Sequence, residues 1–469
     1  MSTLACGVSD YTQGIVSTVS FGDTPPYNIA AVTQLPAPTN LSGDPRVLAF
    51  KHNGDDRVLV ASYRYPSGPG VPGEADFGIY IPSATTNWGA PIATATTSGG
   101  VNNWGVSNPR GIITIGEFMY ISDYDTNDIA IIDMTGDAYT LAATISNVFT
   151  TTGGNTAHGE GLDMYAFAAG SPAVTYHVLV ALYSQETSLA YGPSGLVLIA
   201  VNDASYNIIT KTQLSGLTEN AVSLRVNDED GDFYAYVCAM GDLQVADGNW
   251  DKSTVQVISL PTGITPGIPL PTYNPAPAIE QTIHATAETP PPSTPPSLFG
   301  DFNDLEFWEG NAYILAANWN EFYTEYKYQL IRTSTANLHA GQFTDGGDPS
   351  SDTDQLISSP AGATWMLAPA SDTLWLVAGN NVLNVPSGTL TPYDPVLNPT
   401  PLGPVVADAT NGVSSGVGLG NATVNGNLNT ASVVIDLTAL AARAGATVSV
   451  SRTKVALNIE DLKRRRAKK

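Results

Sequence analysis

Apolar residues recur along this chain in short runs, each opened by a polar turn. Six of them are alike: Val58–Arg64 (VLVASYR), Phe118–Asp125 (FMYISDYD), His177–Ser184 (HVLVALYS), Phe233–Gly241 (FYAYVCAMG), Asn311–Asn320 (NAYILAANWN) and Thr373–Asn380 (TLWLVAGN). Their starts lie 60, 59, 56, 78 and 62 residues apart. An apolar segment precedes each run and another strand-like segment follows it, often with a weaker fourth such as Tyr139–Ile145. Four short strands per unit, joined by Gly, Asp, Asn and Pro turns, predict the blades of a β-propeller. Runs such as VLVA and YILAA predict strands covered on both faces, as radial stacking of sheets provides.

The expected fold is therefore all-β: a six- or seven-bladed propeller over residues 1–390, with a strand-containing C-terminal extension. The one long spacing holds a Pro-rich insertion at 261–298. Strands within 14–35 are expected to close the ring, either by completing the last blade or by opening a seventh that C-terminal strands finish. Residues 391–431, rich in Pro, Gly, Asn, Ser and Thr, read as a linker or extended arm. Residues 432–469 carry two strand-like pieces too small to bury a core alone. Their apolar positions (Val433, Val434, Ile435, Val448, Val450) are expected either to pack on the same chain or to pair with a second copy, giving an oligomer or filament.

Charge sharpens this picture. Residues 1–442 hold 10 basic and 41 acidic side chains, a balance of −31, and residues 443–469 hold 9 and 2, a balance of +7; together they make the −24 of the whole chain. Such a body repels nucleic acid, so only the terminal KRRRAKK, with Arg464, Arg465 and Arg466, could attract it. The same tail is complementary to the acidic body of a neighbouring subunit. No run is long and apolar enough for a membrane helix. Few lysines and many Thr, Ser, Asn and Gly fit an extracellular or cell-surface protein. Cys6 and Cys238 form no recognisable motif.

Three groups are candidates for chemistry. Acidic turns place oxygens at alternate positions, as calcium requires: Asp123, Asp125 and Asp128 in one, Asp228, Asp230 and Asp232 in the other. Polar residues at strand starts could converge near a propeller axis: Arg46, Arg110, His158, Glu160, Asp163, Asn220 and Asp304. Trp319, Tyr323 and Tyr326, read as loop residues, offer aromatic surface to a carbohydrate or protein ligand.

The segment Asn108-Pro-Arg-Gly-Ile through Phe118-Met-Tyr-Ile-Ser-Asp-Tyr-Asp-Thr-Asn-Asp to Asp133 resembles a blade of the bacterial and archaeal YVTN/NHL-type propeller proteins, many of them surface proteins. Residues 44–390 follow that rhythm and 108–145 match it closely. The resemblance implies a fold and leaves chemistry open. The expected function is a non-enzymatic binding or assembly scaffold with protein partners or itself, with calcium as the only cofactor suggested. The alternative is a metal-dependent propeller hydrolase of the lactonase kind, with Glu160, His158 and Asp304 at its centre.

Overall fold

The computed structural model describes strands from residue 2 to residue 419, with side chains chiefly between Phe50 and Phe343; the longest stretches outside the description are 35–43, 65–73, 242–252, 285–301, 344–352, 394–404 and 420–469. Among the described residues there are seven four-stranded antiparallel sheets. Six correspond to the six sequence units, five of them built from consecutive strands and the fourth interrupted by a small hairpin: unit one over 44–95, two over 109–145, three over 156–217, four over 221–284, five over 302–358 and six over 363–408. The seventh joins Ile29–Gln34, Ile15–Phe21 and Ser2–Ser9 to Gly412–Leu419, with Thr3 opposite Leu419.

Period-two alternation explains the stacking. In Val174–Glu186, residues Leu179, Ala181 and Tyr183 enter the core shared with units one and two, while Val178, Val180 and Leu182 enter the core shared with unit four. Unit four repeats the device: Ala235 and Val237 face unit three, while Tyr236 and Cys238 face unit five. A continuous apolar run is therefore two half-runs serving two different cores. The first strands of units one to six lie against one another in series.

Two segments differ in detail from their sequence reading. The fourth strand of unit four, Ala278–His284, lies inside the Pro-rich insertion, beyond a small hairpin of Ile264–Thr265 and Thr272–Tyr273. Strands at Val405–Asp408 and Gly412–Leu419 fall within the stretch read as linker or arm; glycines and serines there mask an extended backbone. The segment 432–469, with its assembly residues and basic tail, lies outside the described residues.

Candidate functional site

The first strands of units two to six share an irregularity that composition does not disclose. Each carries one extra residue against its second strand, at Arg110, Glu160, Val222, Asn303 and Trp365. A bulge re-aims the side chain it carries. In units two and three the bulged residue is charged, and the two units come close together there. A Cβ on Gly111 would meet the Leu162 backbone nitrogen at 2.4 Å, and one on Gly159 would meet the Asp123 carbonyl oxygen at 2.8 Å. Only glycine permits that approach.

Arg110 and Glu160 meet around Tyr124. The Arg110 guanidinium lies 4.6 Å from the centre of the Tyr124 ring, a cation–π contact. His158 stacks on the same Tyr124 ring, with ring centroids 4.5 Å apart. Its Nδ1 lies 2.8 Å from the Tyr124 carbonyl oxygen. A carbonyl only accepts, so Nδ1 carries the proton and donates. His158 Nε2 then faces Glu186 Oε1 at 3.2 Å. The Ser184 hydroxyl donates to Glu160 Oε1 at 2.6 Å. Burial first, then the Glu160 charge, pushes the Tyr124 phenol well above its ordinary value, with Arg110 opposing. The Glu186 side chain is 36% exposed and gives the group its contact with solvent. The arrangement supplies a cation for an anionic ligand and a histidine–carboxylate pair for proton transfer.

Below this mouth, three residues further along the first strands, lies a second charged layer. Asp163, Arg225 and Glu306 occupy equivalent positions in units three, four and five. Arg225 Nε donates to Glu306 Oε2 at 2.9 Å, and its Nη2 donates to Asp304 Oδ1 at 3.3 Å. Burial alone would favour losing the Arg225 proton, but Glu306 and Asp304 outweigh it and hold the guanidinium charged. Asp304 Oδ1 also accepts from the Ser223 hydroxyl at 2.8 Å. Asp163 accepts from Val226 N and Met164 N, each at 2.7 Å. Burial pushes its carboxyl up to about 7 against those bonds and the nearby Arg225.

The sequence candidates thus separate. His158 and Glu160 come together with Arg110, whereas Asp304 and Asp163 belong to the Arg225 layer. The side chain of Arg46 is outside the description, and the carbonyl of Asn220 accepts from Met240 N. A divalent metal held by Glu160, His158 and Asp304 does not fit this arrangement. Asp304 is bound by Arg225 in the deeper layer, apart from His158 and Glu160.

The acidic turns are structural in their contacts. Asp123 is buried, and its carboxylate accepts from Ser107 N, Asn108 N, Asp125 N and the Ser107 and Thr126 hydroxyls. Burial raises its ionisation above the ordinary range, and those backbone donors oppose the rise. Asp128 Oδ1 caps Asn147 N at 3.0 Å. In the other turn Asp228 Oδ1 accepts from Gly231 N at 2.8 Å, while Asp230 and Gly231 adopt positive φ between the paired Glu229 and Asp232. That is a two-residue hairpin turn, which favours these residue types without any ion. Among the described residues no group of three or more His, Cys, Asp or Glu is placed to hold a metal ion. Trp319 and Tyr326 are strand residues paired across Asn311–Trp319 and Tyr326–Thr333 rather than loop residues, and Tyr323 lies outside the described residues. No described helix is long and apolar enough to cross a membrane.

Tyr124, Ser184 and Glu186 were not singled out from sequence. The signal that could have found them is register: Ser184 and Glu186 stand opposite His158 and Thr156, and Tyr124 follows Asp123, the partner of Pro109 beside the bulge.

No protein-family model matches the chain, and no curated protein matches it in sequence; the YVTN/NHL repeat type therefore has no support beyond the residues quoted for it. Solved structures do resemble it. A candidate 6-phosphogluconolactonase from Bacteroides fragilis is 11% identical, with a TM-score of 0.51 over 89% of this chain and 97% of that one. A second candidate 6-phosphogluconolactonase, from Bacteroides uniformis, is 12% identical, with a TM-score of 0.51 over 89% of this chain and 99% of that one. At this identity the likeness speaks for the fold: all-β and propeller-type.

Proposed function

We propose that the seven four-stranded sheets close as a seven-bladed propeller, and that the mouth between units two and three hydrolyses a lactone of a polar, anionic sugar-acid kind. The serial contacts of the first strands, which continue from unit six to Gly412–Leu419 and from there to Asp44–His52, support the ring. One observation carries the activity: Arg110, His158, Glu160 and Glu186 gather around Tyr124 at a single partly exposed end of the sheets. The solved structures named above add a fold-level analogy in the same direction.

In this reading Arg110 meets the negative charge of the substrate and the oxyanion that forms at the carbonyl. The His158–Glu186 pair takes a proton from water as its oxygen adds to the carbonyl carbon. The ring C–O bond then breaks, and the pair returns the proton to the departing oxygen, leaving a hydroxy acid. Glu160, fixed by Ser184, sets a negative charge near Tyr124. The scaffold reading rests on the charge split between body and tail, whose carrier lies outside the described residues.

The test is lactone hydrolysis followed by acid release at constant pH, with 6-phosphoglucono-δ-lactone and glucono-δ-lactone as substrates. The protein should exceed the spontaneous rate, and His158→Ala should lower kcat/KM by about 100-fold or more. Hydrolysis no faster than buffer alone, or unaffected by His158→Ala in a folded variant, rejects the activity.

A further inference from the structure

Two buried oxygens beside the mouth have no partner among the described residues. Asn108 is 4% exposed, and its Oδ1 makes no hydrogen bond, while its Nδ2 donates to Asp125 Oδ1 at 3.2 Å. Asp125 Oδ2 is likewise buried and unpartnered. The amide and the carboxylate thus fix one another in place and leave one acceptor each. A buried acceptor without a donor is costly, so its persistence asks for an external one.

Position ties the pair to the mouth. Asn108 precedes the bulged Arg110 by two residues, as His158 precedes the bulged Glu160 in unit three. Its backbone is fastened too: Asn108 N donates to Asp123 Oδ1 at 2.8 Å, and its carbonyl accepts from Tyr124 N at 2.8 Å. Arg110 Nε, also buried, has no hydrogen-bond partner either. One donor for an anion and two acceptors therefore stand unsatisfied within three residues of one strand start and its neighbour.

Resting on the reading of this mouth as a sugar-acid site, we propose that Asn108 Oδ1 and Asp125 Oδ2 form a subsite that accepts hydrogen bonds from the hydroxyl groups of a polyhydroxylated acid, selecting it over an acid of equal charge without hydroxyls. Sites built to hydrogen-bond a substrate hydroxyl discriminate strongly against analogues that lack it, because their buried polar groups are then left unpaired. Asn108 and Asp125 supply acceptors that an aliphatic chain cannot use.

The experiment is calorimetric titration of the full chain with D-gluconate and with hexanoate, for the native protein, Asp125→Asn, Asn108→Ser and Arg110→Ala, each checked for folding by circular dichroism. The native protein should favour gluconate by about tenfold or more. Asp125→Asn, which turns an acceptor into a donor, should remove most of that preference, so that gluconate and hexanoate bind alike. Asn108→Ser should do the same, and it reads the subsite if Asp125→Asn does not fold. Arg110→Ala should weaken both acids alike. An unchanged preference in both folded subsite variants, with binding still sensitive to Arg110→Ala, overturns the subsite alone: the two oxygens then hold only water. Binding of neither acid by the native protein overturns the reading of the mouth and the subsite together.

Discussion

The mouth around Arg110 and Glu160 and the layer three residues below the bulges both bring arginine and carboxylate side chains together, yet their bonds differ in kind. At the deeper level Arg225, Asp304, Glu306 and Asp163 are almost fully buried and spend their charges on each other and on backbone N–H groups of neighbouring units. At the mouth, Arg110 Nε, Asn108 Oδ1 and Asp125 Oδ2 have no partner among the described residues, and Glu186 reaches solvent. Charge at the centre of a sheet array therefore has two uses. Where it is saturated it fastens units three, four and five together; where it is unsaturated it is available to a ligand.

The largest expected effect probes the saturated side. Replacing Arg225 with Met strands two buried carboxylates, so urea unfolding should register a loss of roughly 3–5 kcal/mol. A loss below about 1 kcal/mol would show that the layer is not a fastening and would erase the contrast. The next effect is read by pH. Asp163 ionises near 7 when folded and near 4 when unfolded, so the folded state binds its proton more tightly. Its contribution is fully present below about pH 4 and is lost as pH rises through about 7, on the order of 2–4 kcal/mol. Asp163→Asn should flatten that slope in denaturation curves taken from pH 4 to 8. An unchanged slope would assign it to another group. The smallest effect belongs to the mouth: Arg110→Ala should change unfolding free energy by no more than about 1 kcal/mol, the size of a partly exposed cation–π contact. A cost like that of Arg225 would make Arg110 structural as well.

Much of the architecture was legible in the chain because stacked sheets impose alternation on every strand. VLVALYS feeds two cores at once, and that doubled demand is what made it a continuous apolar run. Gly412–Leu419 (GVSSGVGL) escaped notice because small residues fill an extended strand without marking it. The outer strand Ala278–His284 was hidden by the prolines around it. The site was half legible. His158-Gly-Glu160 stood out by composition, but its separation from Asp163 and Asp304 depends on a one-residue slip in register, which leaves no trace in residue type. The acidic turns are ambiguous for a related reason: aspartate and glycine serve a hairpin turn as well as they serve a cation.

The pairing of Ser2–Ser9 with Gly412–Leu419 has a consequence for biogenesis. During synthesis at about 5–20 residues per second, the leading strand emerges some 20–80 s before the strand that will flank it. For that interval one edge of the nascent sheet is open to any passing β-segment. Assembly of this sheet must wait until Gly412–Leu419 has been made, while units two to five, each built from strands close in sequence, can fold as they leave the ribosome.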